Sequence, residues 1–290
     1  MGIVKKISFL QLARHLKYSY NLCLKKAVPT KNGVSDTTYI LYTAKNKKFV
    51  LKVFESASLK QINQEMALLK ELKSSLVAVP IGKPRLITGK LSLLYPFLNG
   101  LHPDKINILQ TASIGLFLAN LHNKNLKTKP PIKAINAQCL DILKNIDFTP
   151  FAKYGNLLEQ LVKTPVDGVI HGDLFFDNAL FCSNKLCGVL DFSEATKGSF
   201  AFDIGTAAFG FCFEGNILNF DKLNSMLNTY NVAIKNKPIT KSVALQNIRY
   251  AAIYFGVFRF WRKGNFFECL QRLDAISHCA EYSPDLQSSF

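Results

Sequence analysis

Acidic residues are scarce in this 290-residue sequence, which has 20 Asp and Glu against 36 Lys and Arg and therefore a formal net charge of +16. A charge of this size attracts nucleotides and other anions over a distance and repels polycationic substrates. The basic residues are scattered, however, and no arginine stripe is interleaved with aromatic residues. The densest basic cluster, residues 45–48 (KNKK), lies between two strand-like runs. We interpret it as a solvated turn, so no nucleic-acid partner is expected.

The sequence also lacks paired cysteines and long apolar runs. None of its seven cysteines belongs to a CxxC pair, and the number is odd, so neither a zinc site nor a disulfide framework is expected. The longest apolar stretches, near residues 204–213 and 251–261, are too short to span a bilayer. The N-terminal residues carry charge but no apolar core of signal-peptide length. These absences predict a cytoplasmic protein with reduced thiols and no membrane partner.

Hydrophobic residues make up 48% of the chain, which is enough for one substantial core or for two lobes that share a cleft. Strand-like runs and one inserted helix fill the first hundred residues, and helical patterns dominate afterwards, apart from a short β-rich segment near residues 168–190. We therefore predict an α+β fold of two lobes, residues 1–98 and 99–290, joined through residues 95–100.

The individual elements follow from hydrophobic periodicity and turn residues. Helices are predicted at residues 8–20, 59–72, 106–122, 134–145, 151–163, 241–261 and 266–281. Strands are predicted at residues 37–43, 49–54, 168–171, 179–182 and 186–190, with two more on either side of the turn at residues 88–90.

The most informative segment is residues 171–178 (HGDLFFDN), followed by residues 188–192 (GVLDF). Phosphoryl transfer to an alcohol needs a carboxylate that faces the attacking hydroxyl, ligands for Mg²⁺, and a cation on the phosphates that are not transferred. Asp173 is the candidate catalytic carboxylate. Asn178 and Asp191 offer the oxygen ligands that Mg²⁺ prefers. The same residue types occur in the same order in protein kinases, so ATP and Mg²⁺ are the expected cofactors.

An alternative interpretation of this segment is a strand–turn–strand unit with ordinary polar turn residues, since Asp and Asn are common in turns. The catalytic interpretation is favoured because three side chains of the required types occur at the two separations found in protein kinases, and apolar strands flank them. His171 is predicted to hydrogen-bond the loop backbone. Asp203, which enters an apolar helix, is predicted to hold the loop's N–H groups, although a simple charge at the helix N-terminus is also consistent.

The cation on the phosphates is expected from residues 49–53 (FVLKV), an apolar strand interrupted by Lys52. An exposed strand lysine is the alternative, and the downstream motif favours the phosphate contact. Glu65, on the helix that follows, is the candidate partner that would hold Lys52 extended.

The turn at residues 33–38 is the candidate cover for the phosphates. It has one glycine, Gly33, where protein kinases have several, and it offers Ser35 and Thr37 as hydrogen-bond donors. Asp36 would repel a phosphate unless it points away. Turn chemistry alone is equally consistent with a plain turn. The position of this turn between the first strands favours a nucleotide contact.

Residues 169–181 (VIHGDLFFDNALF) and 188–192 (GVLDF) resemble the aminoglycoside phosphotransferase and choline kinase superfamily, and within it the kinase-like type of bacterial homoserine kinase. Residues 95–100, 114–122 and 249–262 support the resemblance. It implies a protein-kinase-like fold with a small antiparallel β lobe and a larger helical lobe, and ATP bound between them.

The same resemblance implies that Tyr95 and Phe97 contact the nucleotide at the hinge, and that Arg259 binds the carboxylate of an amino-acid acceptor. An arginine that caps packed aromatic residues is the alternative for Arg259. L-homoserine, and hence threonine biosynthesis, is the favoured assignment. Asp177 and Glu194 are the acidic candidates near the acceptor. Glu194 occurs in a stretch where the homoserine group tends to place an aromatic residue, so the acceptor is in question, but the reaction is not.

Several alternatives remain open from the sequence. An aminoglycoside, choline, ethanolamine or methylthioribose kinase has the same catalytic residues, although the net charge of +16 disfavours polycationic acceptors. A nucleotide-binding protein without turnover is disfavoured because all three chemical positions and Lys52 are present. Gly172 replaces the arginine of protein kinases, which predicts a small-molecule acceptor and no switch by loop phosphorylation. A monomer or a homodimer is expected.

Overall fold

The computed structural model describes residues 6–30, 36–130, 151, 154–262 and 264–281. Its helices are α1 (Phe9–Tyr20), α2 (Leu59–Leu72), α3 (Ile108–His122), α4 (Gly155–Val162), α5 (Phe200–Phe211), α6 (Phe220–Ala233), α7 (Lys241–Trp261) and α8 (Phe267–Glu281). Its strands are β1 (Leu24–Pro29), β2 (Thr37–Thr43), β3 (Lys48–Val53), β4 (Ile81–Ile87), β5 (Lys90–Pro96), β6 (Gly168–Ile170), β7 (Ala179–Cys182), β8 (Lys185–Val189), β9 (Thr196–Gly198), β10 (Phe213–Glu214) and β11 (Ile217–Leu218).

Helices α1 and α2 each begin at a capping motif formed by residues that are close together in the sequence. Ser8 and Ser58 each accept a hydrogen bond from the backbone N–H of a glutamine three residues further on, Gln11 or Gln61. The glutamine side chain accepts one in return from the N–H of the serine. This reciprocal pair satisfies backbone donors that have no partner inside the helix.

Strands β1 to β5 form one antiparallel sheet in the order β1-β2-β3-β5-β4. In the central strand β3, Lys52 lies opposite Thr38 of β2 and Leu93 of β5. Side chains alternate between the two faces of a strand. Leu51 and Val53 pack in the cluster that contains α1, so Lys52 is on the opposite face.

The face that carries Lys52 shares its core with the helical part of the chain. Leu93 and Tyr95 of β5 belong to one buried cluster with residues of α2, α3, α5 and α7. Helix α5 packs closely on α7 because Gly205 has no side chain: a Cβ there would lie 2.4 Å from the backbone carbonyl of Asn247. The helical part therefore forms a rigid base beneath the sheet.

Two short antiparallel pairs, β6–β9 and β7–β8, bring the two chemical motifs together. Residues 171–178 follow β6, and residues 190–195 follow β8. The two segments are joined where the backbone N–H of Leu190 donates to the carbonyl of Asn178 at 2.9 Å.

The predicted α+β architecture, an antiparallel sheet followed by a mainly helical part, is confirmed. Strand β1 was not predicted, since two lysines and a terminal proline give this edge strand little alternation. The helix expected at residues 151–163 is observed as Gly155–Val162, and the one expected at 134–145 lies outside the described residues. The division at residues 98 and 99 stays a prediction. In the part of the chain that the structure describes, no helix is both long and apolar enough to cross a membrane.

Candidate active site

Asp173 and Asn178 lie at either end of the loop that follows β6. Asn178 ends a 3₁₀ turn, and its Nδ2 donates to the Asp173 backbone carbonyl (2.8 Å) and to Oδ2 of the Asp173 carboxylate (3.2 Å). Asn178 is buried and Asp173 is partly exposed. The hydrogen bond from Asn178 therefore holds the partly exposed Asp173 carboxylate in a defined orientation.

Asp203 anchors the start of this loop from below. Its two carboxylate oxygens accept hydrogen bonds from the backbone N–H groups of His171 and Gly172, each at 2.9 Å. Nε2 of His122, which is also buried, lies 3.0 Å from Asp203 Oδ2. Burial raises the pKa of Asp203, but its contacts with His122 and the Gly172 N–H outweigh this and lower the pKa overall. Asp203 is thus a buried carboxylate whose oxygens are occupied by donors.

His171 has both ring nitrogens engaged. Nδ1 accepts a hydrogen bond from the backbone N–H of Asp173 (3.3 Å), so Nε2 carries the proton and donates to the carbonyl of Leu190 (3.1 Å). Burial lowers the pKa of His171, although nearby Asp203 opposes the change. The neutral ring therefore joins the two segments and has no free nitrogen with which to act as a base.

Gly172 occupies a position that excludes a side chain. Its φ is +78°, and a Cβ there would lie 2.9 Å from the carbonyl oxygen of Glu194. Both the backbone conformation and the space require glycine. This is the physical reason why glycine stands where protein kinases have arginine.

Lys52 and Asp191 form an ion pair across the cleft. Lys52 Nζ lies 2.9 Å from Asp191 Oδ1 and 3.3 Å from Asp36 Oδ2. Burial lowers the pKa of Lys52, but the surrounding negative charges, above all Asp191, raise it well above its usual value. Burial likewise acts to raise the pKa of Asp191, whereas Lys52 and the Ser193 N–H hold it well below its usual range. Both groups are therefore charged near neutral pH.

The Asp173 carboxyl group has a raised pKa. Burial is the main cause, and the negative charges of Asp191, Glu194 and Asp177 add to it, while the hydrogen bond from Asn178 opposes it. A carboxylate with a raised pKa is a stronger base than one in water. Asp173 is thus well suited to accept a proton from a hydroxyl group.

The side chains of Asn178 and Asp191 fit a magnesium ion. Asn178 turns its Nδ2 toward Asp173, which leaves its side-chain oxygen directed elsewhere. Asp191 has a positive φ of 55° and a side chain that is 42% exposed, so its carboxylate is accessible. Among the described residues no group of three or more His, Cys, Asp or Glu could hold a metal. Mg²⁺ usually takes one or two carboxylates together with phosphates and water, which matches this donor set.

Glu65 on α2 is buried, with 4% of its surface exposed. Among the described residues, the ion pairs of Lys52 are with Asp36 and Asp191, so the direct Lys52–Glu65 pair that we predicted is not formed. Burial raises the pKa of Glu65 to about 7, with the charge of Lys52 opposing the rise. Glu65 therefore makes no ion pair with Lys52, and its negative charge acts on Lys52 only above about pH 7, where the carboxyl group is ionised.

This pKa predicts a specific pH dependence of stability. The folded protein binds a proton at Glu65 up to about pH 7, whereas an ordinary glutamate releases it near 4.5, so stability falls as pH rises between these values. The interval corresponds to about 3 kcal/mol at roughly 1.4 kcal/mol per pKa unit. Glu65→Gln should remove this decline in thermal melts at pH 5 and pH 8. Glu159→Gln, an exposed helical control, should melt like the wild type at both values. If the melting temperatures of Glu65→Gln and the wild type changed equally between pH 5 and pH 8, the raised pKa would not belong to Glu65.

The other residues that were predicted to contact the nucleotide differ in their burial and in their contacts. Thr37 is fully buried and its hydroxyl donates to Glu55 Oε1 (2.8 Å), so it is not directed at a phosphate site. Tyr95 is buried in the core, whereas Phe97 is partly exposed beneath the Lys48 ammonium, 5.2 Å from its ring centre. The other two, Gly33 and Ser35, lie outside the described residues.

The predicted acceptor residues differ in their surroundings. Arg259 Nη1 lies 3.2 Å from Oε2 of Glu268 on α8, and Glu268 is shared with Arg272, whose Nη2 lies 2.6 Å from its Oε1. Asp177 is exposed, and Glu194 is partly buried beside the loop. The prediction that Arg259 binds the carboxylate of the acceptor therefore stays a prediction.

Sequence reasoning missed two contacts that complete the site. Asp36, which the sequence marked only as a source of repulsion, lies 3.3 Å from Lys52 Nζ and also accepts a hydrogen bond from the backbone N–H of Glu55 (3.0 Å). His122 is the last residue of α3, and the pattern of that helix does not predict its contact with Asp203, 81 positions further along the chain. The available signal was a polar side chain on the buried side of the helix.

Residues 26–221 match the phosphotransferase enzyme family, APH. The chain belongs to this family. The homoserine kinase of Rhodopseudomonas palustris (strain BisA53) is 28% identical to this phosphotransferase in an alignment that covers 69% of this chain and 68% of that protein. The homoserine kinase of Bradyrhizobium diazoefficiens (strain USDA 110) is 27% identical in an alignment that covers 77% of this chain and 75% of that protein.

Solved structures agree with the fold of this phosphotransferase. The amicoumacin kinase hAmiN, in complex with AMP-PNP, Ca²⁺ and Ami, has a TM-score of 0.69 at 15% identity and covers 93% of each chain. Macrolide 2'-phosphotransferase type I has a TM-score of 0.64 at 17% identity, over 95% of this chain and 99% of that one. The predicted family, the two-lobed fold and the predicted enzyme class, a small-molecule kinase, are confirmed.

Proposed function

We propose that this phosphotransferase is an ATP- and magnesium-dependent kinase that phosphorylates the side-chain hydroxyl of L-homoserine. The observation that carries the proposal is the convergence of Asp173, Asn178, Asp191 and Lys52 on one cleft. The homoserine kinases among its relatives support the choice of acceptor.

In this proposal each side chain has one task. The acceptor's hydroxyl oxygen forms a bond to the γ-phosphorus, the bond to the bridging oxygen breaks, and the hydroxyl proton passes to the Asp173 carboxylate. Asn178 and Asp191 would hold Mg²⁺, which when bound neutralises charge on the phosphates. Lys52 supplies a fixed positive charge to the phosphates that stay with ADP.

The net charge of +16 favours an acceptor with its own negative group over a polycationic antibiotic. Three acidic side chains, Asp177, Asp191 and Glu194, act on Asp173, and Asp191 is paired with Lys52. An amino alcohol with a carboxylate therefore fits the field of this chain better than an aminoglycoside. A place in threonine biosynthesis and a cytoplasmic location follow from the same proposal.

An acceptor panel tests the proposal by measuring ADP release with and without Mg²⁺. The panel contains L-homoserine, choline, ethanolamine, methylthioribose and an aminoglycoside. We expect the highest kcat/KM with L-homoserine and loss of turnover when the metal is chelated, because the phosphates then lose their counter-charge.

Each other result has a distinct meaning. A higher kcat/KM for choline or an aminoglycoside would overturn the acceptor and leave the kinase chemistry standing. Turnover with none of these acceptors, combined with tight ATP binding, would favour a nucleotide-binding protein without kinase activity.

A further inference from the structure

The β7–β8 hairpin carries two cysteines beside the segment that leaves the five-stranded sheet. Sγ of Cys187 donates a hydrogen bond to the backbone carbonyl of Asn99 at 3.1 Å, and Sγ of Cys182 lies 3.7 Å from the same oxygen. Both cysteines are free thiols. Because the two sulfur atoms contact one oxygen atom, the two thiols are close to each other.

The strand pairing in this hairpin is irregular at Cys187. The register of β7 against β8 shifts between Leu180 and Phe181, so it passes over Cys187. An extra residue of this kind forms a β-bulge, which bends the strand and re-aims a side chain. Cys182 is exposed, whereas Cys187 is partly buried. A reagent in solution therefore meets Cys182 first.

The segment that the two thiols contact is the connection between β5 and α3. Leu101 pairs with Phe181 of the hairpin through two backbone hydrogen bonds of 3.0 and 2.9 Å. A Cβ at Gly100 would lie 2.6 Å from Cys187 Sγ, so the connection packs directly on this sulfur atom. Here the chain passes from the sheet that carries Lys52 to the helical part. The thiols therefore help to fix the connection against the hairpin.

We propose that Cys182 and Cys187 form a modification site, at which a small disulfide oxidant such as glutathione disulfide produces an intrachain disulfide bond. Cys182 attacks one sulfur atom of the oxidant, so a mixed disulfide forms and one glutathione leaves. Cys187 then attacks Sγ of Cys182, the two Sγ atoms bond, and the second glutathione leaves. Each released glutathione takes up one of the two thiol protons. The two cysteines are oxidised, and the disulfide of the oxidant is reduced to two thiols.

The neighbouring thiol sets the order of these two steps. Burial raises the pKa of Cys187 to about 12, and the hydrogen bond and the charge of Cys182 add to the rise. A thiol with a raised pKa supplies little thiolate, which is the nucleophilic form. Once Cys182 is in a mixed disulfide it carries no negative charge, so its part of the rise disappears. Cys187 therefore becomes more reactive only after Cys182 has reacted.

The disulfide bond changes the contacts of the connection between β5 and α3. Both sulfur atoms lose their hydrogen, so neither can donate to the Asn99 carbonyl. Asn99 follows Phe97, a predicted nucleotide contact, by two residues. We therefore expect oxidation to weaken binding of a non-hydrolysable ATP analogue on the order of 3- to 10-fold, as for the loss of one or two hydrogen bonds. This effect rests on the kinase function proposed above, whereas the disulfide bond does not.

Peptide mapping tests the bond directly, because Lys185 lies between the two cysteines. The folded full chain is treated with glutathione disulfide, the remaining thiols are alkylated, and trypsin then separates residues 164–185 from residues 186–197, each with one cysteine. In the wild type the two peptides should stay linked until a reductant is added. Cys23→Ser, which removes another exposed cysteine, should give the same link. In Cys187→Ser the link should be absent, and Cys182 should retain glutathione.

Three results of the mapping would overturn the modification site. They are glutathione that stays on Cys182 of the wild type, a link from Cys182 or Cys187 to a different cysteine, and a link that forms only in urea.

Titration of the ATP analogue into the reduced and the oxidised protein tests the effect on the nucleotide site. The oxidant should leave the affinity of the double variant Cys182→Ser/Cys187→Ser unchanged. An equal affinity of the linked and the reduced wild type would refute the effect on nucleotide binding. A reduced wild type that binds no analogue but still forms the link would refute the kinase function and leave the modification site standing.

Discussion

Asp173→Asn should reduce kcat on the order of 10²- to 10⁴-fold, because the amide cannot accept the hydroxyl proton. The substitution preserves shape, and the new side chain retains an oxygen that can accept the hydrogen bond from Asn178. It also removes a negative charge close to Asp191 and Glu194, so nucleotide binding should be no weaker than in the wild type. The expected signature is thus a lower kcat with an unchanged or lower KM for ATP.

Steady-state kinetics together with equilibrium binding of an ATP analogue measure this signature. Asp104→Asn, an exposed aspartate after β5, is the matched control and should retain wild-type kcat. If Asp173→Asn kept kcat within about threefold of the wild type, Asp173 would not be the proton acceptor. A normal melting temperature for the variant would show that the loss of kcat does not reflect unfolding.

Asp203→Asn should destabilise the fold by about 3–5 kcal/mol, the usual cost of removing one partner from a buried charged network. Both oxygens of Asp203 accept backbone N–H groups, from His171 and Gly172, and His122 lies against one of them. An asparagine must turn its NH₂ group toward one of these donors, which leaves a buried N–H without an acceptor. The loop that carries Asp173 then loses its anchor, so kcat should fall as well.

Asp221→Asn separates this role from a simple helix charge. Asp221 and Asp203 both lie in the first turn of a helix, α6 and α5 respectively. Asp221 is exposed, whereas Asp203 is buried. A charge at a helix N-terminus contributes only about 0.3–1 kcal/mol at an exposed position. In urea unfolding, Asp203→Asn should therefore lower the free energy of unfolding severalfold more than Asp221→Asn does. Equal losses would mean that Asp203 acts only as a helix charge.

The helices and the sheet were largely predictable because their signals are local. Ser8 as a helix cap predicted α1, and the hydrophobic repeat of residues 59–72 predicted α2, at nearly their observed bounds. Strand β1 escaped prediction because an edge strand with one solvated side needs little alternation. Its pairing with β2, and not its own pattern, makes it a strand.

The partners of charged side chains were much less predictable. The sequence suggested Glu65 as the partner of Lys52 because the two lie in neighbouring elements. The structure pairs Lys52 with Asp191, 139 positions away, and with Asp36, while Glu65 stays buried nearby. In the same way, Arg259 looked available in the sequence and is paired with Glu268. Such pairings depend on how elements pack, which no spacing within one element records.

By itself, the sequence determined the type, order and spacing of Asp173, Asn178 and Asp191, and these determine the class of reaction. Only the tertiary structure decided which groups surround them: Asp203 beneath the loop and Lys52 against Asp191. The physical reason is the distance along the chain over which each property is set. Chemical identity and helix or strand preference depend on a residue and its near neighbours, whereas the field and the contacts at a site depend on side chains that meet only when the chain has folded.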